Sequence, residues 1–287
     1  MNADFNTWLI SVTSAFDDFL YTYILVFLLV FVAIYFTVRT RFVQIRYFKD
    51  MFTQLFEKKH VPGKKSISSF QAMMVSTASR VGTGNIAGIA TAVALGGPGA
   101  IFWMWLMALF GAASAFVEST LAQIWKVRGK NGEFRGGPAY YIEQALGQRW
   151  LGIVFAVLLI ICYAYGFTGL QAYNMASALE YYIPDYATNG TAVALGIVLC
   201  VMTGFVIFGG AKRISIISSV LVPVMAIAYL GMGLFITVTN WYLLPDAFYY
   251  IFQSAFDFES IFGGFAGSVI VLGIKRGLFS NEAGMGS

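Results

Sequence analysis

The stretch Ser79-Arg80-Val81-Gly82-Thr83-Gly84-Asn85-Ile86-Ala87-Gly88 lies inside an apolar run from Ser66 to Val117 in which Arg80 is the only charge. A helix beginning near Ser69 rises about 1.5 Å per residue, so Gly82–Asn85 falls near the middle of a hydrocarbon layer about 30 Å thick. Glycines on both sides of Thr83 let the backbone unwind there. Irregular backbone at that depth is tolerated only where it lines a cavity inside protein. The freed amides of the next half-helix then present a positive dipole end to a carboxylate. Freed carbonyls and the Asn85 side chain offer hard oxygen ligands to a cation. Taken alone, Gly84-Ile-Ala-Gly88 reads as a small-residue face for helix packing. Polar Thr83 and Asn85 at mid-depth, and a matching segment late in the chain, favour a binding site.

Composition places the whole chain in the same setting. It is 59% hydrophobic and 11% charged, with a mean hydropathy of +0.73, whereas a soluble domain carries about 25% charged residues. Further uncharged runs cover 19–38, 150–179, 186–211, 214–245 and 260–274. The turn-forming Gly96-Gly97-Pro98-Gly99 divides 66–117 into two helices. Pro223 is expected to kink the helix that contains it, and the aromatic stretch through Phe258 to be interfacial or re-entrant. Seven spans result, the last of them short.

Lys and Arg segregate along this pattern. Eight fall in 39–65, five in 126–149, and the pairs Lys212/Arg213 and Lys275/Arg276 follow. The intervening segments 1–18, 96–100, 180–190 and 238–259 hold none, but carry Asp4, Asp17, Asp18, Glu180, Asp185, Asp246, Asp257 and Glu259. Basic loops stay cytoplasmic, so the N-terminus is expected outside. With acids and no Lys or Arg before Leu20, the first run is not a signal peptide. The segment Arg39–Lys59, in which aromatics alternate with basic residues, reads as a helix lying on the inner leaflet. The basic residues punctuate apolar runs and form no continuous patch, which argues against nucleic acid despite the net charge of +4.

The segment matching the first break is Ile261-Phe-Gly-Gly-Phe-Ala-Gly-Ser268. Gly-broken helices in corresponding positions of oppositely oriented halves mark the site of an inverted-repeat transporter. By that logic the rest of the second half lies beyond Ser287, and the chain reads as an N-terminal fragment not expected to transport alone. The expected organisation is 1–65 for the first helix and interfacial helix, 66–245 for a five-helix repeat, and 246–287 for the start of its partner. Arg80 and Glu118 lie at similar depth on adjacent spans and are expected to pair, because a charge inside a bilayer finds a partner. Gln171 and Asn174 share one helical face and can meet a substrate ammonium or glue helices together. His60 is the single histidine and sits in a basic surface segment. Cys162 and Cys200 sit in apolar runs as packing residues. Enzyme chemistry therefore has no constellation to rest on, and no cofactor is expected.

These residues resemble the alanine/glycine:cation symporter family, also called sodium:alanine symporters. The resemblance runs through Gly82-Thr-Gly-Asn-Ile-Ala-Gly88, Gly96-Gly-Pro-Gly-Ala-Ile-Phe-Trp-Met-Trp105, Gly136-Gly-Pro-Ala-Tyr-Tyr-Ile142 and Lys275-Arg-Gly-Leu-Phe-Ser-Asn-Glu-Ala-Gly-Met-Gly-Ser287. It implies an all-α polytopic membrane protein with a LeuT-like inverted repeat, truncated here and preceded by one extra helix. It also implies a bacterial plasma membrane, with sodium or a proton coupled to a small neutral amino acid such as alanine or glycine. Thr83, Gly84 and Asn85 would face the substrate carboxylate and Gln171 its amino group. Gly264, Phe265, Ala266 and Gly267 would form the opposite wall, with Phe265 closing over the ligand. A sodium ion would sit near the Ala78 and Val81 carbonyls. A seven-helix receptor and a channel are the alternatives; the Gly-Thr-Gly-Asn break speaks against the receptor.

Overall fold

A computed structural model describes residues 2–56, 67–129, 134–257, 269–282 and 284–286. The chain opens with α1 (Asn2–Phe19), a π-helical turn at Leu20–Leu25 and α2 (Val26–Arg39). Together they make an apolar rod whose membrane-compatible part, Phe5–Arg39, has 35 residues. Such a rod extends about 50 Å, well past a hydrocarbon layer of about 30 Å. Short helices α3 (Val43–Arg46) and α4 (Phe48–Phe56) follow. Next come α5 (Ser69–Arg80), α6 (Thr83–Gly96) and α7 (Gly99–Ile124). A two-stranded hairpin, β1 (Val127–Arg128) with β2 (Phe134–Arg135), then interrupts the helices. The remainder is α8 (Pro138–Leu146), α9 (Arg149–Ile161), a π-helical turn at Cys162–Phe167, and α10 (Thr168–Ser177). After these come α11 (Thr191–Ile207), α12 (Gly210–Thr239), α13 (Leu244–Ala255) and α14 (Val269–Asn281).

Among the described residues, four helical segments are long and apolar enough to cross a membrane: Phe5–Arg39, Gly99–Ile124, Arg149–Ser177 and Gly210–Thr239. The other expected spans differ for identifiable reasons. The second is two half-helices, α5 and α6; α11 stops at 17 residues. The first part of the seventh lies in 258–268, outside the described residues. Helices that are apolar all round belong in lipid, and Phe205, Ile227 and Leu230 accordingly stand exposed. The chain is a helical multi-pass protein; among the described residues, the basic loop's strand pair departs from an all-α reading. Pro223 lies inside α12, which continues unbroken to Thr239 and not to Pro245 as the apolar run suggested.

The chain divides into two compact units. One is built from 1–48, 84–117 and 239–284. Its core clusters Val26, Met107 and Ile274, with a second group of Ala92, Ala100, Met104 and Val269. The aromatic stretch through Phe258 contains the helix α13, which lies on α7. Phe102 meets Phe252 and Phe256 at ring-centroid distances of 5.6 and 5.1 Å, and the Trp103 indole donates to the Ala255 carbonyl at 3.1 Å. Gly96–Gly99 forms the expected turn. Gly97 has φ +79, and a Cβ on Gly99 would run into the backbone of Ser254 and Ala255.

The same unit corrects one placement. The charge pattern places Asp18 outside and Lys275 in the cytoplasm, yet Lys275 Nζ lies 3.4 Å from Asp18 Oδ1 and 5.7 Å above the Tyr21 ring. Asp18 sits partway along a rod much longer than the bilayer, so its sequence position does not fix its depth.

The other unit is built from 49–83, 118–238 and 285–287. Its α5 begins with reciprocal caps: Gln71 N donates to Ser68 Oγ at 3.1 Å, and Ser68 N to Gln71 Oε1 at 3.2 Å. The hairpin of α8 and α9 closes tightly because Gly152 rests on the Ala139 carbonyl, 2.7 Å from where a Cβ would be.

Candidate functional site

Helix α5 ends at Arg80, and Val81 turns extended, with φ −89 and ψ 98 and its N–H bonded to Thr77 O at 2.8 Å. Helix α6 begins at Thr83. The break therefore falls on Val81–Gly82, at the front edge of the expected Gly82–Asn85. Thr83, Gly84 and Asn85 are helical and form the first turn of α6. Their amides have no carbonyl partner one turn earlier, and Gly82 has no side chain with which to cap them.

Gln171 supplies the missing acceptor. The Thr83 N–H donates to Gln171 Oε1 at 3.3 Å. The side-chain amide of Gln171 lies so close over Gly82 that a Cβ there would overlap its Nε2. Gln171 is set by α10 just after the π-helical turn at Cys162–Phe167, where Thr168 Oγ1 donates to the Tyr163 carbonyl at 2.8 Å. Single π-helical turns recur at functional sites, a signal that the sequence pattern did not reveal. Two expected site residues, 88 positions apart in the chain, thus meet directly. Asn174, on the same helix, bonds its own Leu170 carbonyl at 2.8 Å.

Two oxygens on the first turn of α6 are left over. Thr83 Oγ1 and Asn85 Oδ1 are buried with no hydrogen-bond partner. Buried polar groups are nearly always paired, and one left unmade costs about 1–3 kcal/mol. Successive residues turn by about 100°, so side chains two apart point to nearly opposite sides. The backbone amides of this turn converge while the Thr83 and Asn85 side chains diverge. Gly84 is tight in its own unit, where an added Cβ would lie 2.8 Å from Phe279 Cδ1.

The remaining expected residues are placed as follows. Ala78 is exposed and Val81 half-buried, both at the end of α5 where helical carbonyls lose their partners. Gly264, Phe265, Ala266 and Gly267 lie outside the described residues. Arg80 is half-buried in the last turn of α5. Glu118 is buried and accepts the Gly286 N–H. Burial and the nearby Glu118 carboxylate push the Tyr141 hydroxyl up to about 12, so it keeps its proton. Asn281, in the motif Lys275–Ser287, has a part that the sequence pattern does not reveal: its Nδ2 donates to Met107 O at 3.1 Å. No cluster of three or more His, Cys, Asp or Glu able to hold a metal occurs among the described residues.

Comparison with known proteins bears on this geometry. The model of a family described as the sodium:alanine symporter family matches residues 6–287. The amino-acid carrier protein AlsT of Bacillus subtilis is 49% identical over 100% of the chain and 59% of its own length. A Bacillus subtilis protein named "Probable sodium/glutamine symporter GlnT" is 47% identical over 94% of the chain and 55% of its own length. The sodium/alanine symporter AgcS of Methanococcus maripaludis is 39% identical over 97% of the chain and 61% of its own length. The chain thus spans somewhat more than half the length of these relatives.

Proposed function

Because the chain belongs to the sodium:alanine symporter family, a family of transporters and not enzymes, we propose that the full-length protein carries a small neutral amino acid across the bacterial plasma membrane with sodium. Alanine or glycine is the substrate, and alternating access about a LeuT-like inverted repeat, with one helix added at the N-terminus, is the mechanism. One observation carries this reading: the helix broken at Val81–Gly82, whose Thr83 amide is held by Gln171 Oε1 at 3.3 Å. An amide at a half-helix N-terminus is built for a carboxylate. Gln171 satisfies it with a neutral carbonyl oxygen, which a substrate carboxylate can replace with a charge-assisted bond. The released Gln171 then turns its carbonyl oxygen to the substrate ammonium.

The coupling ion is assigned to the end of α5, near the Ala78 and Val81 carbonyls. The unpaired oxygens of Thr83 and Asn85 are hard donors beside the same break. Gly264 to Gly267 form the opposite wall, and Phe265 closes it. Arg80 and Glu118 pair to hold their two spans together. The N-terminus lies outside.

The test is uptake of labelled alanine by the full-length protein in proteoliposomes, with and without an inward sodium gradient, beside Asn85→Ala. Sodium-stimulated, saturable uptake is expected, with about tenfold or greater loss in the variant, the scale of one hydrogen bond to a charged group. Uptake driven only by a pH gradient would replace the ion and keep the site. The absence of saturable uptake of alanine, glycine and glutamine alike refutes the assignment.

A further inference from the structure

The first rod ends in an unusual turn. Thr40 N bonds Phe36 O at 2.9 Å, and Phe42 N bonds Thr37 O at 2.8 Å. Arg41 and Phe42 both have φ 55, a left-handed conformation that side-chain-bearing residues rarely adopt and almost never in succession. The turn is braced from within. Thr37 is buried, its hydroxyl donates to Ala33 O at 2.8 Å, and Gln44 Nε2 donates to that hydroxyl at 3.4 Å. Val43, at the start of α3, is 4% exposed.

The consequence is electrostatic. Arg39, Arg41 and Arg46 are gathered around one cleft of about 300 Å³, completed by Thr40, Val43 and Phe116. Among the described residues, no carboxylate lines it. Neither the Arg149–Glu143 nor the Lys275–Asp18 ion pair uses these arginines. Like charges drawn together repel, and the α3 arginine is further held by stacking, with its guanidinium 4.6 Å from the Tyr47 ring centroid. A strained turn that concentrates uncompensated guanidinium groups makes physical sense when an anion sits among them. Guanidinium forks match the paired oxygens of a phosphate. Beside the cleft, Phe42 and Ile45 are exposed at 50% and 64%, an apolar rim suited to acyl chains at the end of a membrane-crossing helix.

We propose that this cleft binds a phosphate group, presented at the membrane surface by the headgroup of an anionic phospholipid. The site is independent of the transport reading, because it uses none of the residues at the helix break.

The test uses the full-length protein in detergent and follows its thermal unfolding as phosphatidylglycerol, phosphatidylcholine or inorganic phosphate is added, for the native chain and for R39Q/R41Q/R46Q. Phosphatidylglycerol is expected to stabilise the native protein at concentrations about tenfold lower than phosphatidylcholine, and the variant to lose that preference. Stabilisation by inorganic phosphate as well, lost in the same variant, would keep the chemistry and assign the source to free phosphate. Equal responses of native protein and variant, or equal responses to the two lipids, overturn the proposal. Should the triple variant fail to fold, Arg41→Gln and Arg46→Gln are read singly. Each is expected to weaken the phosphatidylglycerol preference several-fold, and no change in either overturns the site.

Discussion

At Gly82 the absence of a side chain is what lets Gln171 reach the Thr83 amide. In Gly82→Ala the new methyl would overlap Gln171 Nε2, the far end of a flexible side chain. The chain can relieve that overlap by moving Gln171 away, so folding should be nearly unaffected. The hydrogen bond from Thr83 at 3.3 Å would be lost with it. Pushed away from the break, Gln171 would no longer be placed to turn its carbonyl oxygen to the substrate ammonium, so we expect Gly82→Ala in the full-length protein to lower apparent alanine affinity by about tenfold, the scale of one charge-assisted bond. Its unfolding temperature in detergent should stay within a few degrees of the native one. Thermal unfolding and saturation of uptake check the two halves separately. A large stability loss would mean that Gly82 serves packing alone.

Among the elements, the connection from α6 to α7 depends on glycine for a different reason. A Cβ on Gly99 would strike the backbone of Ser254 and Ala255, with Ser254 C only 2.5 Å away. Backbone cannot rotate aside as the Gln171 side chain can. Relief requires α13 to lift from α7, disturbing the Phe102 contacts with Phe252 and Phe256 and the Trp103–Ala255 hydrogen bond of 3.1 Å. Gly99→Ala is therefore expected to destabilise the protein by about 1–3 kcal/mol, the usual range for overpacking. Chemical denaturation in detergent measures it, and a neutral outcome would show that α13 is only loosely seated.

For the whole molecule, the distribution of Lys and Arg predicts an arrangement across the membrane that labelling can check. With Cys162 and Cys200 replaced by alanine, a cysteine at Thr188 should react with an impermeant thiol reagent in intact cells, and one at Val127 only after permeabilisation. The reverse pattern would invert the orientation. Much of this protein was legible in one dimension. Long apolar runs and scarce charge dictate a multi-pass helical chain, because lipid leaves the backbone few other ways to satisfy its hydrogen bonds. Gly82 and Gly84 around Thr83 marked the broken helix, since only a few residue types permit unwinding there. Its boundary was legible less sharply: Thr83 to Asn85 wind into α6 because the extended Val81 already completes the break. The Gln171–Thr83 hydrogen bond, the π-helical turn before Gln171, the packing of α13 on α7, the Lys275–Asp18 pair and the arginine cleft were decided only in three dimensions. Each depends on which segments distant in sequence, or which side of a turn, come to face one another, and hydropathy and glycine spacing carry no information about that choice.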